Sequence, residues 1–225
     1  MVALVFPALP TVTLPVTGRA ERFPVRRIFC VGRNYADHAR EMGGEPEKEP
    51  PFFFTKPADA VVESGSRIPY PPATTNLHHE AELVLAIGKG GAMVAEADAP
   101  AMIWGHAAGN DLTRRDLQAE AKANRRPWDM SKAFDKSAVI GPIRPGALPD
   151  AALRCTVNGA LRQEARLSDM IWNPTEIIVA LSRLVSLAPG DLIFTGTPAG
   201  VGPLNRGDTC KVEIDGLQSA TVTIG

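Results

Sequence analysis

NLHHEAELVLAIG, residues 76–88, sets two opposing demands on one short segment. Leu83, Val84, Leu85, Ala86 and Ile87 form an apolar run ending at Gly88, which reads as a buried strand. The same run opens on His78, His79, Glu80 and Glu82. Residues two apart on a strand share a face, so Glu80 and Glu82 project together with Ala81 behind them. Two adjacent carboxylates repel, and burying either costs several kcal/mol unless it is paired. A Glu-x-Glu pair at a strand end is more often a solvated edge, because charged residues are mostly exposed. A divalent ion would answer both the repulsion and the burial, and carboxylate oxygens suit Mg²⁺, Mn²⁺ or Ca²⁺. Asp111, in AAGNDLT, is the best third ligand, since it ends an apolar strand just before a helix. His78 and His79 face opposite ways, so at most one of them could join.

The bulk of the sequence narrows the classes. A chain of 225 residues is long enough to bury a sizeable core. Its formal net charge of -1 argues against a nucleic-acid partner. The pairs Arg26-Arg27, Arg114-Arg115 and Arg125-Arg126 are too short and scattered to build a basic face. No apolar run has the length of a membrane span, and the N-terminal MVALVFPALPTVTLPV is broken by prolines and lacks a basic leader, so a cytoplasmic location is expected. Cys30, Cys155 and Cys210 are widely spaced, which fits reduced thiols and no thiolate zinc site.

Outward from residues 76–88, turn signals separate many short strand-like runs. RRIFCVG leads into a polar helix over 34–43, followed by the acidic, proline-flanked EPEKEPP. GHAAGNDL reads as a strand that feeds a helix in TRRDLQAEAKANRR, with Thr113 as the expected N-cap and Asp116 three residues on. Asn158-Gly159 marks a hairpin, and Asp215-Gly216 a second one. NPTEIIVALSRLVSLAPG predicts the clearest helix, capped by Asn173, stopped at Pro189-Gly190, with Ile177, Ile178, Leu181, Leu184 and Val185 on its buried stripe. Strands predominate without regular βαβ alternation, which favours an α+β, mostly-β domain.

A second constellation is His38 and Glu41, three residues apart and so on one helix face. A carboxylate beside an imidazole raises its basicity, and such a pair can take a proton from water, although a surface helix pair is the commoner meaning. Lys132, in WDMSKAFDK, offers a cation to an anionic intermediate. FTGTPAGVG offers backbone N–H groups and Thr197 to a carboxylate, and matches no nucleotide-binding or GxSxG pattern.

Together CVGRNYADHAREMG, FFFTKP, YPPATTNLHHEAELVLAIGKG, WGHAAGNDLTRRDLQ, SKAFD and GDLIFTGTPAGVG resemble the fumarylacetoacetate hydrolase family, in its compact fumarylpyruvate and acylpyruvate hydrolase branch. The resemblance implies a mixed β-roll of packed sheets with peripheral helices, usually a homodimer. It implies residues 1–25 as an N-terminal strand segment packed on the core and 26–225 as the catalytic domain. It implies Glu80, Glu82 and Asp111 as ligands of Mg²⁺ or Mn²⁺, His38 and Glu41 as the water-activating pair, and Lys132 as the active-site lysine. Gln118 and Thr197 match substrate-contacting positions, and Arg33 and Lys56 match positions near the site. Arg33, Lys56, Arg125 and Arg126 remain open as partners of a distal carboxylate. The implied substrate is a 2,4-dioxo acid, cleaved at a carbon–carbon bond, with fumarylpyruvate first. Oxaloacetate decarboxylase and 2-oxo acid hydratase or isomerase activities are the alternatives on the same scaffold. No nucleic-acid or membrane partner is expected.

Overall fold

The computed structural model describes residues 3–36 and 49–225. An eight-stranded mixed sheet carries the site. Its main path runs Phe52–Lys56, Arg27–Gly32, Asp191–Phe194, Ala81–Ile87, Ile103–Asp111, Ala138–Ile140 and Val61–Glu63, with Arg144–Pro145 also paired to Ile103–Asp111. Two pairings are parallel, Arg27–Gly32 with Asp191–Phe194 and Val61–Glu63 with Ala138–Ile140. A five-stranded sheet packs against it, in the order Ala160–Arg166, Ala152–Val157, Thr209–Ile214, Ala220–Ile224, Ser66–Ile68. A small three-stranded sheet holds Leu77–His79 between Thr113–Arg114 and Gly202–Leu204. The architecture is the expected mostly-β roll with few helices.

Every residue of Ala81–Ile87 is buried, because both faces of this strand are covered. Leu83, Leu85 and Ile87 face one core, shared with Leu153, Val212 and Val222 of the five-stranded sheet. Val84 and Ala86 face a second core with Ile28, Phe194, Leu14 and Phe23. Burial on two sides accounts for a continuous apolar run where one-sided burial would give alternation. The second core explains the N-terminal segment. Leu14 and Phe23 pair on the short strands Thr13–Pro15 and Arg22–Pro24 and close over the sheet, whereas Leu4, Val5, Phe6 and Leu9 are exposed. Gly109 sits where a side chain would collide with the second core: a Cβ there would lie 2.5 Å from Val84 Cγ2 and 2.7 Å from Phe194 Cε1.

The hairpin at Asn158-Gly159 forms as expected, with both residues at positive φ (51° and 80°), the backbone that Asn-Gly tolerates best. Asn173 caps its helix in a reciprocal box with Glu176, and Pro174 occupies the first turn. That helix, Pro174–Ser182, is shorter than the sequence suggests. Ile177, Ile178 and Leu181 are buried, but Leu184 falls beyond the last turn and is exposed. The apolar periodicity continues past the point where the backbone leaves the helix. The helix in TRRDLQAEAKA is also corrected. It spans Arg115–Ala123, with Arg114 at the cap position and no side-chain cap. Thr113 lies in a short strand against Leu77–His79, so its hydroxyl points elsewhere. Asp116 accepts instead from Thr74 Oγ1 at 2.6 Å and from the Thr75 and Leu117 amides. The expected helix over 34–43 and the segment EPEKEPP lie largely outside the described residues. Among the described residues, no helix is long and apolar enough to cross a membrane.

Replacing Asn173 with Ala removes one half of the capping box. Urea unfolding is expected to show a loss of about 1 kcal/mol without a change in m-value.

Candidate active site

The register of two neighbouring strands assembles the carboxylates. Ala81–Ile87 runs antiparallel to Ile103–Asp111, with Val84 opposite Ala107 and Glu82 opposite Gly109. Extending that register sets Glu80 beside Asp111, and the Asp111 amide donates to Glu80 O at 2.9 Å. Glu80 itself is the break between Leu77–His79 and Ala81–Ile87, where its own amide is taken by Asn110 Oδ1 at 3.0 Å. Glu80, Glu82 and Asp111 each offer a carboxylate oxygen, all within 4.8 Å of one another, and all three residues are buried. The two histidines stay out of this cluster. His79 turns inward to Gln163 Oε1 at 2.9 Å, and His78 turns to Asn76 Oδ1 at 2.9 Å.

Three cations surround two of the carboxylates. Lys132 Nζ donates to Glu80 Oε2 at 2.6 Å, Asp111 Oδ2 at 2.7 Å and Thr113 Oγ1 at 2.7 Å. Burial, the largest influence, pulls the ammonium toward neutrality, but Asp111 and Glu80 more than offset it and hold its pKa above the ordinary lysine value. This triple contact is why Thr113 is not a helix cap. Lys56 Nζ lies 2.7 Å from Asp111 Oδ1 with its side chain fully buried, and donates to the Leu112 carbonyl at 3.2 Å and to the Lys132 carbonyl. The Lys56–Asp111 approach is an ion pair with both side chains fully buried. Arg115 bridges Glu80 and Gln118.

Glu82 differs. The Gly196 amide donates to its Oε2 at 2.6 Å, and among the described residues no lysine or arginine ion-pairs with it. Burial, then Asp111 and Glu80, push its carboxyl well above the usual range, against weaker opposition from Lys132 and the Gly196 N–H. Gly196 has φ +94°, and a Cβ there would lie 2.6 Å from Asn34 Cβ. Asn34 fixes this turn by donating to the Thr195 and Trp172 carbonyls and accepting from the Trp172 amide. A buried glutamate with no ion-pair partner among the described residues, its carboxylate oxygen within 4.8 Å of those of two more buried acids, fits an oxygen-preferring divalent ion held by these three residues.

Glu80 and Glu82 line a cavity whose walls also include Arg33, Phe54, Arg115, Gln118, Trp128 and Thr197, and Asp111 lies buried behind them. Arg33, Gln118, Thr197 and Lys132 are thus brought together around the triad. Thr197 accepts from Gln163 Nε2 at 2.8 Å, which orients its hydroxyl. Lys56 stands behind Asp111, where it fits a residue that positions the carboxylate more than one that touches substrate. Arg125 and Arg126 lie exposed beyond the helix end, and Arg126 approaches Glu120 at 3.7 Å. His38 and Glu41 lie outside the described residues. Sequence reasoning missed Arg115, Thr113, Gln163 and Trp128. Arg115 had a local signal: it stands three residues before Gln118 on the helix, and so shares its face.

Glu82 carries a test of sign. Its folded-state pKa lies above the unfolded one, so the metal-free fold binds this proton more tightly. That contribution to stability is present at low pH and is lost as pH rises through the raised value. Glu82→Gln is therefore expected to raise the melting temperature of metal-free protein at neutral pH and to remove the further rise on adding Mn²⁺. A variant that Mn²⁺ stabilises as much as the parent would reject the ligand assignment.

Comparisons with known proteins give the family. Residues 27–225 match the fumarylacetoacetate (FAA) hydrolase C-terminal family. A fumarylpyruvate hydrolase from Ralstonia sp is 44% identical over 82% of this chain and 98% of its own. The mitochondrial oxaloacetate tautomerase of Homo sapiens is 42% identical, over 88% of this chain and 91% of its own. The crystal structure of fumarylpyruvate hydrolase from Pseudomonas aeruginosa, in complex with Mn²⁺ and pyruvate, superposes with a TM-score of 0.96 at 48% identity, covering 99% of each chain.

Proposed function

The chain belongs to the fumarylacetoacetate hydrolase C-terminal family, and from that membership we propose that it is a metal-dependent hydrolase of a carbon–carbon bond in 3-acylpyruvates, with fumarylpyruvate as the first substrate. The observation that carries this reading is the buried Glu80–Glu82–Asp111 cluster, whose two glutamates line the cavity beside Lys132. The Mn²⁺ and pyruvate held by the similar Pseudomonas aeruginosa enzyme support it.

A divalent ion held by Glu80, Glu82 and Asp111, Mg²⁺ or Mn²⁺, would supply Lewis acidity at the 2-oxo acid end of the substrate. Gln118 and Thr197 would orient that end from the cavity wall. His38, kept basic by Glu41, would take a proton from water as the water oxygen bonds to the acyl carbonyl carbon. The bond between that carbon and the pyruvate methylene then breaks, and its electron pair leaves with pyruvate as an enolate. Lys132, held protonated by Asp111 and Glu80, would place its positive charge beside this developing anion. Protonation of the enolate carbon gives pyruvate, and the acyl group leaves as a carboxylic acid, fumarate in the first case. Residues 26–225 would form the catalytic domain, with 1–25 as the segment that closes the second core. A cytoplasmic homodimer completes the reading, and the exposed Leu4, Val5, Phe6 and Leu9 support an assembled state.

A second reading has a specific ground. Oxaloacetate tautomerases are present among relatives of 42–43% identity, so oxaloacetate is a rival substrate for the same site. Loss of enol absorbance, followed with fumarylpyruvate, acetylpyruvate and oxaloacetate with Mg²⁺ and with chelator, separates the two. Chelator-sensitive cleavage of fumarylpyruvate is expected, and conversion of oxaloacetate alone would overturn the hydrolase reading. His38→Ala is expected to lower kcat by about 10²–10⁴-fold while Mn²⁺ still raises the melting temperature. Unchanged turnover would reject His38 as the base.

A further inference from the structure

One wall of the cavity is aromatic and ends on a cation. Phe54 lies against Trp128 with ring centroids 5.9 Å apart, and Trp128 meets Phe52 edge-on at 5.2 Å. The Arg33 guanidinium lies over the Phe52 ring at 5.9 Å. At the other end of the wall, Lys132 Nζ sits 5.0 Å from the Phe54 ring. The placement of Arg33 is built into the backbone. A Cβ on Gly32 would fall 1.9 Å from Phe52 Cζ, so the ring lies directly across the chain there. Arg33 follows at φ +57°, a conformation that costs a non-glycine residue energy and is kept where the surroundings enforce it.

We propose that Arg33 is a specificity-determining residue that receives the distal carboxylate of a dianionic substrate. The acyl chain lies along Phe54 and Trp128, with its 2-oxo acid end at Glu80, Glu82 and Asp111. This inference rests on the acylpyruvate reading above. The other cations are placed differently. Lys132 is committed to Glu80 and Asp111, and Arg115 to Glu80 and Gln118. Lys122 also lines the cavity, but it stands exposed on the last turn of its helix, where water screens its charge. Among the described residues, no carboxylate ion-pairs with Arg33. The span also suits. Arg33 follows the strand Arg27–Gly32, which is two strands across the sheet from Ala81–Ile87. At about 4.8 Å per strand spacing, that is roughly 10 Å. A seven-carbon dicarboxylate, at roughly 1.2 Å per extended bond, covers about 7 Å and leaves the remainder to the guanidinium contact. A flat, unsaturated spacer packs face-on against the rings better than a kinked saturated one.

The test separates this inference from the hydrolase reading by measuring binding. 2-Oxoheptanedioate and 2-oxoheptanoate have the same length and differ only in the distal carboxylate. Titration calorimetry with Mn²⁺ present is expected to show the diacid binding the parent protein on the order of ten- to a hundredfold more tightly, as for a charge-assisted contact. Arg33→Gln is expected to abolish that preference, and Arg33→Lys to keep part of it. Equal binding of the two acids by the parent overturns the proposal. So does a diacid preference that survives Arg33→Gln and disappears in Lys122→Gln. A preference lost in Arg33→Gln by a protein that cleaves no acylpyruvate would support the Arg33 assignment and reject the hydrolase reading. Loss of all binding in Arg33→Gln with a retained melting transition would overturn the distal role, since the 2-oxo acid end would then depend on Arg33 as well.

Discussion

Three carboxylates held within 4.8 Å of one another, out of water, are the constraint on which the surrounding structure depends. Left alone, such a group would protonate or unfold the sheet that carries it. The protein answers with Lys132, Lys56 and Arg115, all drawn to Glu80 and Asp111. Among the described residues, Glu82 is left with the Gly196 N–H and no ion-pair partner, and its carboxyl is pushed well above the usual range. The asymmetry matters for chemistry. A cluster fully paired by side chains would have little affinity left for an ion, whereas in this one Glu82, which lines the cavity, has no lysine or arginine ion-paired to it among the described residues.

The same demand organises parts of the chain far from the carboxylates in sequence. The Gly196 turn exists to bring one amide to Glu82, and Asn34 exists to hold that turn against the Trp172 segment. Gln163, from the edge strand of the other sheet, ties Thr197, the Ala81 amide and His79 together. The polar network thus links both sheets beneath the cavity, where every member has a partner, as a low-dielectric interior requires.

Local rules made several of these features legible in the sequence. The spacing of Glu80 and Glu82 implies a shared face through strand periodicity alone, and Asn158-Gly159 and the Asn173–Glu176 box are signalled by adjacent residues. The features that were not legible depend on partners distant in sequence. Thr113 has the pattern of a cap, yet Lys132 claims its hydroxyl. Lys56 reads as a residue near substrate, yet pairing with Ile28 turns it behind Asp111. Leu184 continues an apolar period after the helix has ended. The triad was recognisable as chemistry because Asp111 ends an apolar run, while its third dimension came only from strand register.

That register has a consequence for how the sheet forms. Alternation along Ala81–Ile87 sends Glu82 to the same side as Val84, opposite Leu83 and Leu85. A slip of one residue would exchange the two sides and drive a carboxylate into the hydrocarbon between the sheets, while stranding leucines at the cavity. An all-apolar strand buried on both faces carries almost no record of its proper alignment. Glu82 supplies one, so the ionisable group that weakens the finished protein also rejects its misaligned versions during assembly.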